Sequence, residues 1–151
     1  MTEVDRIRDQ LTRAFESGAW HGPAVREVLQ GVTAEAAARR PIGAAHTIWE
    51  LVLHMSTWKN VVTRRLGGEP GQEVPPEVDF PAQGAGEAAW KAALDRLAAS
   101  QAALIGALAG VQDDQLDQLP APKTSTRYIL LHGVAQHDIY HAGQIVVLKK
   151  A

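Results

Sequence analysis

The chain has 151 residues, 46% of them hydrophobic, a formal net charge of −2 and no cysteine. That length makes one domain with a core that needs no staples, and the lack of cysteine excludes disulfides, thiolate metal sites and a cysteine nucleophile. The two signs of charge are interspersed, so there is no basic footprint for nucleic acid or a membrane surface, and no apolar run approaches the roughly 20 residues that span a bilayer.

The N-terminal MTEVDRIRDQ is charged and lacks the apolar stretch of a signal peptide, so a cytoplasmic location is expected. Val4, Ile7, Leu11 and Phe15 recur at helical spacing and predict a first main helix over about Glu3–Ser17. GAWHGP interrupts it. Pro23 suits the first turn of a second piece carrying Val25, Val28, Leu29 and Val32. Thr33–Arg40 reads as a short helix, followed by a turn at Pro41 and Gly43. Thr47-Ile48-Trp49-Glu50 fits a capping box that starts the second main helix; it runs to about Leu66, where Gly67, Gly68 and Pro70 stop it. The segment from Gly67 to Gly86 is rich in Gly and Pro and reads as one long loop, and loops of that length in compact domains are often functional. A third main helix is expected over about Glu87–Ala109. A loop with Pro120 and Pro122 leads to the last, about Thr126–Lys149, whose terminal lysines suit the negative end of the helix dipole. With no strand-like alternation and no internal repeat, the expected fold is all-α, a single four-helix-bundle domain with a long loop between its second and third helices.

A bundle core follows a repeat of three and four residues. In the last helix that seam reads Leu130, Val134, His137, His141, Gln144, Leu148: apolar at its ends and polar at its middle. His137 and His141 lie about 40° apart around the helix, one turn above the other, a relation in which two imidazoles can grip one metal ion. The seam of the second helix, Thr47, Leu51, His54, Trp58, Val61, is interrupted at His54, and that of the third, Trp90, Leu94, Leu97, Gln101, Leu104, Leu108, at Gln101. A buried polar group without a partner costs about 1–3 kcal/mol, so these groups gain by clustering. His54, His137 and His141 would make a three-nitrogen site that leaves a divalent cation its full charge and open positions.

These residues fall in two stretches, HTIWELVLHMSTW (46–58) and YILLHGVAQHDIYHAGQIVVLKK (128–150), through which the sequence resembles the DinB/YfiT-like family of bacterial four-helix bundles. WHGP and the turn into RPIGAAH also look like one branch of that family, and the likeness spans nearly the whole chain. The resemblance implies a divalent metal, usually zinc or nickel, held by one histidine of the second helix and two of the last, at positions that match His54, His137 and His141. It also implies a choice of activities, among them thiol-dependent S-transfer, thiol-dependent isomerisation and metal-dependent hydrolysis, and membership alone selects none of them.

Other residues are candidates for the surroundings of the site. Gln144 shares the face of His137 and His141, and Gln101 can reach the same cavity. Asp138 points about 100° away from His137, either as the partner of an imidazole on another helix or as a solvated acid. Tyr140 borders the site or packs; Trp58, with Trp49 and Trp90, is core or pocket wall. Glu50 is either the cap's own residue alone or also a general base. His21, in WHGP, is a turn contact or a pocket residue, and His46 leads into the second helix or rims the pocket. His132, about 140° from His137, is expected to face elsewhere.

The expected function is that of a small metalloenzyme acting on a small-molecule substrate. The resemblance points to a low-molecular-weight thiol from outside the chain as cosubstrate, whose thiolate a metal would favour. Trp20–His21 and the loop from Gly67 to Gly86 are candidate substrate contacts. The alternatives are metal-dependent hydrolysis, a non-enzymatic metal-binding bundle with a stress or interaction role, and a metal-free bundle with hydrogen-bonded histidines. Pairing into a homodimer through an exposed helix face is also expected.

Overall fold

Three of the four long helices begin at threonine side-chain caps, of which the sequence pattern identifies the one at Thr47. The computed structural model describes residues 1–151 and places α1 at Glu3–Phe15, α2 at Val25–Leu29, α3 at Ala34–Ala38, α4 at Ile48–Leu66, α5 at Pro76–Asp79, α6 at Gly86–Ala107 and α7 at Arg127–Lys150. The Thr2 hydroxyl accepts from the Asp5 N–H, Thr47 from Glu50 and Thr126 from Ile129, each satisfying a donor that the first helical turn leaves free. At α4 the box closes, with the Glu50 carboxylate accepting from the Thr47 N–H at 2.9 Å. α6 lacks such a cap; its Glu87 instead accepts from the Ala34 N–H at 2.9 Å, tying the start of α3 to that of α6.

The fold is all-helical, as the sequence predicts, and no helix is long and apolar enough to cross a membrane. α1 ends at Phe15 rather than Ser17, and α6 passes into a 3₁₀ turn at Leu108–Gly110. The segment read as a plain loop contains α5, one helical turn started by Pro75 and Pro76, where fixed φ angles favour a first turn. Its earlier part is anchored by Gly71, whose N–H donates to the Pro122 carbonyl at 2.9 Å. The carbonyl of Lys123 leaves no room there for a Cβ.

α4 is the central helix. It packs on α6 and α7 and is capped at one end by α3, so most of its circumference is buried. The apolar core is in two parts. One gathers Trp49, Val52 and Met55 of α4, Trp90 and Leu97 of α6, and Ile145 and Leu148 of α7. The other gathers Ile7 and Leu11 of α1, Val62 of α4, Leu104 of α6, Leu108 of the 3₁₀ turn that follows it, and Leu131 and Val134 of α7. Along the chain, the buried polar residues His54, Ser56, Thr57 and Lys59 of α4, Ser100 and Gln101 of α6, and Asp138 and His141 of α7 fall between or beside these two sets. The polar interruptions in the three sequence seams thus become one layer across mid-bundle.

Candidate metal centre

The layer holds two separate clusters. In the first, the Nε2 atoms of His54, His137 and His141 converge: His137 lies 2.9 Å from His54 and 3.0 Å from His141. One ligand atom from each ring falls within 4.8 Å of the other two. The i, i+4 spacing stacks His137 and His141 on one face of α7, and α4 delivers His54 across from them.

The outer nitrogens fix the tautomers. His54 Nδ1 donates to the Asp79 carbonyl at 2.9 Å and lies 3.0 Å from its carboxylate; His141 Nδ1 donates to the Gln144 amide oxygen at 2.6 Å. Both protons are therefore on the outside, and both Nε2 atoms present lone pairs inward. His137 Nδ1 is buried with no partner. If His137 carries its proton on Nε2, that single proton faces two lone pairs and the buried Nδ1 stays unpaired; if on Nδ1, three lone pairs face one another. Protonation offers no relief near neutrality. Burial, then the neighbouring charges of His141, His54 and Lys59, push His137 down to about 3, and burial pushes His141 to about 4. A divalent cation is the partner that accepts three imidazole lone pairs at once. Nitrogens around a tetrahedral zinc lie about 3.3 Å apart, given Zn–N of about 2.0–2.1 Å, so the two spacings from His137 differ from that by only a few tenths of an ångström.

Second, Lys59 is fully buried and donates to the Asp138 carboxylate at 2.5 Å and to the Gln101 amide oxygen at 2.7 Å, with its ammonium also 4.9 Å from the centre of the Phe15 ring. Gln101 in turn donates to the Leu11 carbonyl at 3.2 Å. Burial pushes the Lys59 amine down and the Asp138 carboxyl up, while their mutual attraction opposes both shifts. Gln101 and Asp138, read from the sequence as candidates for the histidine cavity, are thus engaged with Lys59. The reason is electrostatic: a buried ammonium needs a counter-charge and acceptors more than a neutral imidazole does. Sequence reasoning missed Lys59, because a lysine inside a helix is ordinarily an exposed one. The available signal was its isolation, the sole charge in α4 between Glu50 and Arg64.

The remaining candidates divide clearly. Gln144 holds His141, and the Trp58 indole N–H donates to the Asp79 carboxylate at 2.7 Å, which in turn faces His54. Tyr140 is exposed, its ring 5.1 Å from that of His141. His46 stacks on Phe80, and Phe80 on His54, with centroids 3.7 and 4.0 Å apart. Glu50 is fully occupied by the Thr47 N–H, the Arg40 guanidinium at 2.6 Å and His46 at 3.1 Å. Although burial pushes its pKa up, these hydrogen bonds outweigh it and hold the carboxyl below its usual value, which makes it a poor base. His21 is not at the centre. It lines a separate cavity with His132, Arg13 and Gln136 on the α1 side of α7, because the residues between Phe15 and Ala24 carry it around the outside of the bundle. Trp20 beside it is fully exposed. The long loop does reach the site, but through Asp79 and Phe80 at the end of α5. No spacing in the sequence points to them; only the general need of a ligand histidine for an outer acceptor does.

A family model described as the DinB superfamily matches residues 19–145, a span that includes all three histidines. No curated protein and no solved structure matches the chain.

Proposed function

The chain belongs to the DinB superfamily, and from that premise we propose that it is a divalent-metal-dependent enzyme, with zinc or nickel as the metal, that transfers a low-molecular-weight thiol onto a small electrophile. The observation that carries this reading is the buried meeting of three imidazole lone pairs whose outer nitrogens are already committed. His54, His137 and His141 would hold the cation, which supplies Lewis acidity and lowers the pKa of a thiol or water brought to it. Asp79 and Gln144 orient two of the rings, and Phe80 covers His54 against solvent.

The state of Glu50 favours thiol chemistry over hydrolysis. Its carboxylate is held by the Thr47 N–H, Arg40 and His46 and kept below its usual pKa, so it is a poor acceptor for a proton from water. A thiol, with a pKa of about 8.5, needs far less help in losing its proton than water, at about 15.7. In the step itself the sulfur lone pair forms a bond to the electrophilic carbon. The carbon–leaving-group bond breaks with its electrons going to the leaving group, and the thiol proton passes to solvent.

The test uses protein loaded with zinc or nickel, glutathione, and 1-chloro-2,4-dinitrobenzene. One thioether and one chloride should form per turnover, only with thiol present and only with metal. Product formation without thiol, giving the hydroxylated arene, would make the protein a hydrolase. Stoichiometric metal with no turnover, and a melting temperature that falls on chelation, would make it a non-enzymatic metal-binding bundle.

A further inference from the structure

Two cavities flank the histidine centre along α7. The larger, about 550 Å³, lies between residues 42–46 and the second half of α7; it is bordered by His46, Tyr140, Gly143 and Gln144. It abuts the centre through Gln144, which holds His141, and through His46, which stacks on Phe80 against His54. The smaller, about 170 Å³, lies between α4 and the first half of α7 and ends on His137 itself. Its walls are Trp58, Val62, Leu130 and Val134, and its only charged residue is Arg65, whose guanidinium lies 5.8 Å from the centre of the Trp58 ring.

Each cavity is bordered by a glycine within α7, Gly133 for the smaller and Gly143 for the larger. Glycine is among the poorest helix formers, so its use mid-helix asks for a reason. Neither residue has a positive φ, and a Cβ added to either would meet nothing within 4 Å. The backbone does not require them and the packing does not require them. What they preserve is open volume on both sides of the three histidines.

Resting on the thiol-transfer reading, we propose that the two cavities are the two substrate sites of a bisubstrate cleft: the larger takes the body of the thiol cosubstrate, the smaller an apolar group of the electrophile no bigger than a benzene ring. Size and polarity make the assignment. A volume of about 550 Å³ is that of an ordinary small-molecule site, which spans roughly 300–1,000 Å³, and His46, Tyr140 and Gln144 offer polar contacts to a peptide-like thiol. A volume of about 170 Å³ with hydrocarbon walls compares with apolar cavities of about 150 Å³ that take up benzene. The two substrates then meet at the histidines from opposite directions.

The test fills one cavity at a time. Cobalt(II)-loaded protein is titrated with glutathione and with 2-mercaptoethanol, reading the sulfur-to-cobalt charge-transfer absorbance. Zinc-loaded, ¹⁵N-labelled protein is titrated with benzene, following the Trp58 indole N–H. Gly143→Leu should weaken glutathione at least tenfold and leave the benzene response intact. Gly133→Leu should abolish the benzene response and leave glutathione within twofold. Both should bind one cobalt. Val147→Trp and Ile129→Trp, at exposed positions bordering the larger and smaller cavities, give the same contrast if a leucine variant does not fold. A charge-transfer band that Gly143→Leu leaves undiminished, or a benzene response that Gly133→Leu leaves unchanged, overturns the assignment alone. Absence of any band with either thiol in the parent overturns the thiol reading itself.

Discussion

The histidine centre and the Lys59 cluster occupy the same mid-bundle layer and draw on the same two helices, α4 and α7, yet they resolve their polarity in opposite ways. Around Lys59 one positive charge meets one carboxylate, and the donors left over find the Gln101 oxygen and the face of Phe15. The cluster is neutral and nearly closed; the one atom left unpartnered there is Asp138 Oδ1. Around His137 there are lone pairs without enough protons, and protonation is blocked by burial. Buried polarity by itself therefore does not mark a site. What distinguishes the two is whether the donor and acceptor count balances within the protein.

That contrast can be broken at either end. The largest effect is expected from Lys59→Met, which leaves Asp138 buried without a counter-charge and should cost about 3–5 kcal/mol in urea denaturation. Lys59→Met combined with Asp138→Leu should recover most of that loss, since replacing a whole buried pair by apolar groups is often neutral or stabilising. A double variant no more stable than the single one would show that the cluster does more than balance itself. His137→Leu should have the opposite character. Metal-free protein should be no less stable than the parent, because a half-buried ring whose buried Nδ1 has no partner gives way to hydrocarbon, whereas cobalt affinity should fall by more than about a hundredfold. Gln144→Leu, which removes only an outer acceptor, should lower that affinity by about 10–100-fold. Equal losses from the two would mean that His137 is not a ligand. Calorimetric titration of cobalt measures both.

The smallest effect is on pH dependence. In metal-free protein His137 and His141 titrate near 3 and 4, against 6.5 for an unperturbed histidine. As pH falls below about 6.5 the unfolded chain takes up protons first. The native advantage of keeping both rings neutral, complete above that pH, is lost progressively down to about 4 for His141 and about 3 for His137. Between pH 7.5 and 4.5 the urea midpoint of the parent should drop more steeply than that of a His137→Leu/His141→Leu variant. Parallel curves would mean that the rings are not held neutral by burial.

Much of this was legible in the chain. The Thr47–Glu50 box, the Gly67–Gly68 stop and the heptad seams locate the long helices because caps and periodicity act locally. The seams also put His54, His137 and His141 on core-facing positions, and the structure brings those three rings together. Gln101 and Asp138 face inward as their seam and angle allow, but they answer to Lys59, a partner 42 and 79 residues away that no local pattern reveals. Asp79 and Phe80 come from a Pro-rich stretch without periodicity, and they enter the site only because Thr57 and Trp58 of α4 hold α5 by its carbonyl and carboxylate.

By itself, then, the sequence determined the all-helical architecture, the limits of its long helices and the three histidines that face the core, because each depends on spacing along one helix. Tertiary structure alone decided which polar groups pair, which tautomers the rings adopt and where open space lies beside them. Those depend on distances between helices, and one turn of shift, about 5.4 Å, would exchange one partner for another without changing any local pattern.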